Sequence, residues 1–423
     1  MFDILRNAWK IPDLRKRILY TIMLLVVFRL GSFIPVPGMD KTALQQLIGN
    51  NNSLFGFLDT LTGGAFGNAT IFAMSITPYI NASIIMQLLT VAIPALEQLA
   101  KEGEEGRKKI AQFTRYGTVI LGFIQATGLY FGLSGAIVKP GILSYITITL
   151  TFTAGTAFLM WLGEQITEKG IGNGISLLIF AGIVSRGPAM VRALYANYIN
   201  KNLNIFTLIL FIVFALAVVA VVVIMNQAER RIPVQYAKRV VGRKMYGGQS
   251  THIPIKVSMA GVIPIIFAMS IMTFPSTIAQ FFAQPAPGTF WRGFLDFISP
   301  SSWFYGTFYF ILIIFFTYFY TAIYFNPIEI ANNMKKNGGF IPGIRPGKPT
   351  SDYINKVLSR ITLTGAIFLG LIAVLPIFIN YGVKLGGLAI GGTSLLIVVS
   401  VALETVKQME SQMLMRHYKG FLE

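Results

Sequence analysis

The sequence predicts an all-α polytopic membrane protein with ten transmembrane helices in two inverted five-helix halves, and three observations carry that expectation. The 423 residues are 54% hydrophobic and only 12% charged, with a mean hydropathy of +0.64, well outside the composition of soluble globular chains. Ten apolar stretches can be placed as spans, most of them near the roughly 20 residues a helix needs to cross a bilayer. The Lys and Arg residues crowd one side of that arrangement.

The spans fall at 18–34, 71–93, 113–133, 144–162, 173–185, 203–225, 258–281, 303–325, 361–379 and 388–406. Of the 35 Lys and Arg, 27 lie on one side: five before span 1, five over 101–115, Lys169, seven over 230–256, six over 335–360 and three in the tail; seven lie on the other side, and Arg29 is inside span 1. Loop Lys and Arg mark the cytoplasmic face. Both termini of a multi-pass protein are therefore expected in the cytoplasm, together on one side as an even number of spans requires. The first apolar run lacks a small-residue cleavage site and continues into a full span, so it reads as retained helix, not as a cleaved signal.

Taken in order, segment 1–20, with Arg6, Lys10, Arg15, Lys16 and Arg17, reads as an interfacial amphipathic lead into span 1. Arg29 lies toward the outer end of that span, where its long side chain can snorkel, a structural role. Pro35-Val36-Pro37-Gly38 then ends the helix. The stretch LFGFLDTLTGGAFGNATIFAMSITPYINASIIMQLLT over 54–90 behaves as two elements. Its first piece, 54–61, carries Asp59 and is too short to span; Gly63, Gly64 and Gly67 follow as breakers. Residues 71–89 are long enough to span but carry Ser75, Thr77, Pro78, Asn81, Ser83 and Gln87, which give them a polar face and a proline in the middle. A half-inserted segment feeding a polar-faced helix points to a pathway.

The 101–115 turn carries mixed charge and sets topology only. Gly170, Gly172 and Gly174 open span 5 without the preceding strand or the spacing of a nucleotide fingerprint. Two basic loops, about 226–257 and 326–360, either fix topology or dock a large acidic partner such as ribosomal RNA or a motor protein, and their length favours docking. The run 343–348 lacks Walker A spacing. With no cysteine, and with His252 and His417 both on the cytoplasmic side, the chain offers no thiolate, no disulfide, no metal-ligand set and no intramembrane acid–base pair. It reads as a non-enzyme without cofactor or metal.

Five spans per half is an odd number, so the second half must enter the membrane inverted. We divide the chain at 1–190 (spans 1–5) and 191–423 (spans 6–10). Corresponding marks recur: a central proline in the second span of each half, in SITPYI around Pro78 and GVIPII around Pro264, and the glycine-led GIGNGISLLIF and LAIGGTSLLIVV in the fifth. Paired irregular segments point to a central pore lined by spans 2, 5, 7 and 10. Their mid-span residues are alike: Ile76 and Ile80, Ile179 and Ile183, Ile266, and Ile397. For any one of these isoleucines a lipid-facing or ordinary core position is the better reading; their coincidence on four irregular spans is what suggests a water-repelling ring that gates by dewetting.

FRLGSFIPVPG, MSITPYINASIIMQLLT, FLMWLGEQITEKGIGNGIS, YAKRVVGRKMYGGQSTHIPIKVSMAGVIP and FNPIEIANNMKKNGGFIPGIRPGKPT resemble, in that order and over essentially the whole chain, the SecY family, the pore subunits of the bacterial Sec translocon. The resemblance implies a protein-conducting channel for unfolded preproteins and membrane segments, with the isoleucines above on its pore ring and Ile183 beside it. It implies a movable plug over about 54–67, including Phe55, Phe57, Leu58, Leu61, Gly63, Gly64 and Phe66. It implies a lateral gate to lipid between spans 2 and 3 and spans 7 and 8, with Gln87 and Gln125 as polar members, and docking of the SecA ATPase or the ribosome at Arg239, Arg243, Lys244 and Arg345. SecE and SecG are the implied membrane partners, and signal-bearing polypeptides the substrates. From the residues alone, a secondary transporter of a small solute also uses inverted repeats; the lack of buried charge and the asymmetric loops count against it.

Overall fold

Lipid offers the backbone no hydrogen-bond partners, so an apolar stretch must satisfy its own amides, which in a single segment means a helix. Each of the ten expected stretches contains one. The computed structural model describes residues 2–49, 59, 62–199, 205–236, 239–241, 244–246, 250–279, 302–382 and 392–419, with the single positions 289, 293 and 297. Along the chain run α1 (Phe2–Lys10), α2 (Pro12–Gly31), α3 (Lys41–Gly49), α4 (Thr77–Ala92), α5 (Pro94–Lys101), α6 (Glu104–Gly132), α7 (Ile142–Lys169), α8 (Gly174–Ser185), α9 (Gly187–Ile199) and α10 (Ile205–Gln227). After a β segment follow α11 (Ile263–Ala279), α12 (Trp303–Tyr324), α13 (Pro327–Lys336), α14 (Lys348–Gly382) and α15 (Gly392–Lys419).

Among the described residues, Ile142–Lys169, Trp303–Lys336 and Lys348–Leu375 are long and apolar enough to cross a membrane, and α4 with α5 makes a fourth candidate, bent by 100°. Several helices outrun their apolar stretch. Helix α6 starts at Glu104, not 113, with Lys108 pairing Glu104 one turn away at 3.2 Å, and α14 starts at Lys348, not 361. Charged residues at i and i+4 favour helix in water as apolar ones do in lipid, so the helices continue beyond their apolar parts.

The two prolines expected to break spans 2 and 7 in the middle instead start their helices. Pro78 is in the first turn of α4, which begins at Thr77, and residues 71–76 are turns. Pro264 is the second residue of α11. Proline lacks the amide that the first helical turn leaves unpaired in any case, so it initiates a helix where it would break an interior. The matched marks of the two halves are thus matched helix starts.

The basic loops are not merely loops. β1 (Glu229–Tyr236) pairs antiparallel with β4 (Ser250–Lys256), Glu229 opposite Lys256 and Gln235 opposite Ser250. On its other edge β1 takes β5 (Gly339–Phe340) from the second loop, giving the order β4-β1-β5. Between β1 and β4, β2 (Arg239–Val241) and β3 (Lys244–Tyr246) form a hairpin. The alternation in ERRIPVQY buries Ile232 and Val234 on one face. Those residues and Ile255 pack on Met334, Ile341, Ile354 and Leu358, which welds the two loops into one unit.

The main core draws on α2, α4, α7, α8, α11, α12, α14 and α15, with Phe72, Ile76, Leu162, Ile265, Phe316 and Ile397 among its members. A second core joins Phe66, Ala69 and Met74 to Leu129, Ile148 and Phe152. Large apolar side chains on the outside, such as Phe206, Ile209 and Leu216 on α10 and Ile142 and Leu143 on α7, are what a lipid-facing surface requires.

Candidate functional site

The starts of α4 and α11, with α8 and α15, converge on one narrow space. Ile76 at the cap before α4, Ile80 of α4, Ile179 of α8, Ile266 of α11 and Ile397 of α15 line it. It holds about 30 Å³, room for on the order of one water molecule. Ile76 and Ile397 are buried at 2% and 0% exposure. Ile183, one turn along α8 from Ile179, packs against the main core but does not line the space. The remaining lining is Met269, Ser75, Thr77, Ser270 and Thr273. On α11 the spacing 266, 270, 273 places one isoleucine and two hydroxyls on one face. An aliphatic waist therefore carries a rim of small hydroxyl side chains; Ser75 and Thr77 belong to the polar face read from the sequence, whereas Ser270 and Thr273 were missed, although the i, i+4, i+7 pattern marked them.

Chain geometry fixes Ile76 in place. Ser75 has a left-handed φ of 51° and Ala69 one of 49°, conformations that cost a non-glycine residue on the order of 1 kcal/mol. Tight packing holds them: a Cβ on Gly155 of α7 would come 3.0 Å from the Ile71 carbonyl carbon and 3.5 Å from the Phe72 ring, so only glycine lets α7 lie this close to the turn.

Of the proposed plug residues, Phe55, Phe57, Leu58 and Leu61 lie outside the described residues. Gly63 and Gly64 have φ values of 68° and 88°, so the turn needs glycine at both. Phe66 is 1% exposed and belongs to the second core. Asp59 is buried; its Oδ1 accepts from the Gly67 amide at 2.6 Å and its Oδ2 from Arg186 Nη2 at 2.8 Å. Arg29 is held as well, donating from Nη1 to Ser185 Oγ at 3.1 Å and lying 4.7 Å from the centre of the Phe33 ring.

Gln87 of α4 accepts a hydrogen bond from Tyr320 of α12 and donates to Ser83 Oγ at 3.3 Å. Phe267 of α11 packs edge-on against Phe316 and Tyr320, at 5.8 and 5.0 Å between centroids. The structure does not bring Gln125 to Gln87. A Cβ on Gly117 would meet Ala82 at 3.6 Å and one on Gly122 would meet Pro78 at 3.9 Å, so α4 and α6 run antiparallel and Gln87 faces the region near residue 112. Gln125 is then about 20 Å away along the helix at 1.5 Å per residue. It is buried at 9% exposure.

On the basic unit, Arg239 and Lys244 sit in the β2–β3 hairpin, opposite Tyr246 and Val241; Arg243 lies outside the described residues. Arg345 is exposed between Gly343 and Gly347, with φ of 82° and 106°, and its carbonyl accepts from Thr350 Oγ1 at 2.8 Å.

The family model described as SecY matches residues 70–406. The protein translocase subunit SecY of Halalkalibacterium halodurans is 50% identical over the full length of both chains. That of Thermotoga maritima is 46% identical over 100% of this chain and 98% of its own. The chain belongs to the SecY family. Its fold also matches a solved structure described as a protein-conducting channel (TM-score 0.66, 21% identity, 93% of this chain and 91% of that one). It matches Sec61 from the canine ribosome-channel complex of the endoplasmic reticulum as well (TM-score 0.63, 20% identity, 93% and 91%).

Within this SecY-family chain, sequence reasoning missed Tyr320 and the Asp59–Arg186 pair. No local signal marks Tyr320 among the many aromatics of α12. Asp59 was legible as a lone acid in an apolar piece, but its partner lies 127 residues away. Removing the Tyr320 hydroxyl leaves the Gln87 oxygen without its donor, at a net cost of about 1 kcal/mol. On the lateral-gate expectation, Tyr320→Phe should raise the open fraction of the α4–α12 seam about fivefold, measured as signal-peptide crosslinking in that seam; an unchanged yield removes this bond from that expectation.

Proposed function

We propose that the chain is the pore subunit of a plasma-membrane protein translocon: a passive channel that conducts unfolded preproteins across the bilayer and releases apolar segments into it. Both termini are cytoplasmic, and the halves 1–190 and 191–423 meet at the pore. The carrying observation is the waist where α4, α8, α11 and α15 bring Ile76, Ile80, Ile179, Ile266 and Ile397 around a space of about 30 Å³. A waist of branched aliphatic side chains excludes water and ions when closed, yet can deform around any passing side chain because it makes no directional bonds. A solute transporter needs polar or charged groups arranged to hold its substrate; the waist offers only short hydroxyls at its rim.

Residues 54–67 act as the plug. Because Phe66 is bound into the second core, the part that moves ends near Gly64 and Phe66 serves as its anchor. The seam between α4 and α6 on one side and α11 and α12 on the other is the lateral gate, closed at one level by Gln87 and Tyr320 and elsewhere by aromatic packing; Gln125 contributes at a separate level. The sheet-bound basic unit, with Arg239, Arg243, Lys244 and Arg345, docks the SecA ATPase or the ribosome, which supply the driving energy. A ribosome partner is supported by the Sec61 and Ssh1 channels of similar fold, both described in ribosome complexes. SecE and SecG complete the membrane complex, and the chain itself performs no chemistry.

The chain has no cysteine, so a single Ile80→Cys reports on the waist without background. In proteoliposomes with SecE, SecG, SecA and ATP, an arrested signal-bearing preprotein should crosslink to position 80. Failure of any preprotein to cross would overturn the channel reading. Transport without that crosslink would remove Ile80 from the conduit.

A further inference from the structure

Asp59 and Arg186 are the charged pair that the apolar waist does not use. Arg186 caps the C-terminal end of α8, where the helix dipole favours a cation. Its Nη2 donates to Asp59 Oδ2 at 2.8 Å, with the two side chains only 28% and 11% exposed. The other carboxylate oxygen accepts from the Gly67 amide at 2.6 Å. The Asp59 carbonyl accepts from the Gly64 amide at 2.9 Å and from Thr62 Oγ1 at 3.2 Å. Both ends of the acid are therefore tied into the glycine turn. A second contact lies beside the ionic one: a Cβ on Gly63 would come 2.9 Å from the Gly182 carbonyl carbon of α8, so the two glycine backbones touch where any side chain would part them.

We propose that the Asp59–Arg186 pair is an electrostatic latch that holds the plug turn against α8, with the Gly63–Gly182 contact as its seat. The inference rests on the channel reading above and names positioning residues for it. Helix α8 also carries Ile179 of the waist, so the latch joins the stopper to a helix that must move when the waist widens. Displacing α8 pulls Arg186 from Asp59 and frees the turn. An ionic latch suits this task, since a mostly buried pair is strong while its geometry holds and is only weakly screened by salt. Once one partner is removed, the remaining charge disfavours the closed arrangement.

The test is planar-bilayer ion conductance of the reconstituted complex without substrate, with thermal melting in detergent and wild-type preprotein translocation run in parallel. Asp59→Asn and Arg186→Gln should each raise basal conductance at least tenfold. The exchange D59R/R186D should return at least part of the seal; full recovery is not expected because the Gly67 amide loses its acceptor. Wild-type conductance in both single variants overturns the latch, whether melting is unchanged, which leaves the pair idle, or lowered, which assigns it to fold stability alone. An exchange variant that leaks as much as the singles also overturns it, since the charges would then act separately. Failure of wild-type translocation strikes at the channel reading itself, not at the latch.

Discussion

Ile80→Asn or Ile266→Asn should turn a sealed waist into an ion leak. Both residues line a space with room for about one water molecule, and Ile266 is buried to 7% exposure. Such a seal works because water entering a ring of aliphatic side chains gives up hydrogen bonds it cannot replace there. An asparagine amide offers a donor and an acceptor at that point, offsetting about 2 kcal/mol of the cost of wetting. Each 1.4 kcal/mol off a barrier is about tenfold in rate, so basal conductance should rise by roughly ten- to thirtyfold in planar bilayers. The neighbouring hydroxyls of Ser270 and Thr273 should amplify the effect of Ile266→Asn, because a wetted side-chain amide there can extend a polar chain along the same helix face. Isoleucine-to-valine changes at the same positions should leave the seal nearly intact, since they remove a methyl group and add nothing polar. Silent asparagine variants would show that the space is ordinary core.

Arg345→Glu should cripple motor-driven transport while leaving membrane integration of the chain unaffected. The arginine is exposed on a turn bounded by two positive-φ glycines, and its carbonyl is pinned by Thr350. The side chain is presented, not packed, so the substitution costs the fold little. In a docked complex, arginine at the centre of an interface commonly carries about 2 kcal/mol or more, and reversing the charge adds repulsion. SecA-dependent translocation should fall about thirtyfold or further, with partial return at raised motor concentration. Normal transport rates would remove Arg345 from the docking surface.

Much of this was readable in advance because the governing patterns are local. The waist isoleucines at 76, 80, 179, 266 and 397 could be chosen because each lies beside a proline or glycine mark repeated in both halves, and such marks act on the backbone within a few residues. The same locality misled in one respect. Pro78 and Pro264 read as mid-span breakers because hydropathy counts residues 71–76 and 258–262 as span, whereas proline's missing amide makes each the start of its helix. The β4-β1-β5 sheet escaped notice since basic, proline-bearing strands look like loop until β5, about a hundred residues on, covers the second edge of β1. The resemblance implied Gln87 and Gln125 together as polar members of one gate, and the antiparallel packing of α4 and α6 sets them at different heights.

By itself the sequence determined that the chain is helical and membrane-embedded, and which side chains are able to form a hydrophobic waist. These are properties of composition and periodicity, and each residue contributes without reference to distant ones. Only the tertiary structure decided which faces meet: Asp59 with Arg186, Gln87 with Tyr320, β1 with β5, and Phe66 with Leu129, Ile148 and Phe152. A sequence states that a residue is acidic, aromatic or unpaired, but choosing its partner among many chemically equivalent candidates depends on how the helices pack, and that is settled by the shape of the whole chain.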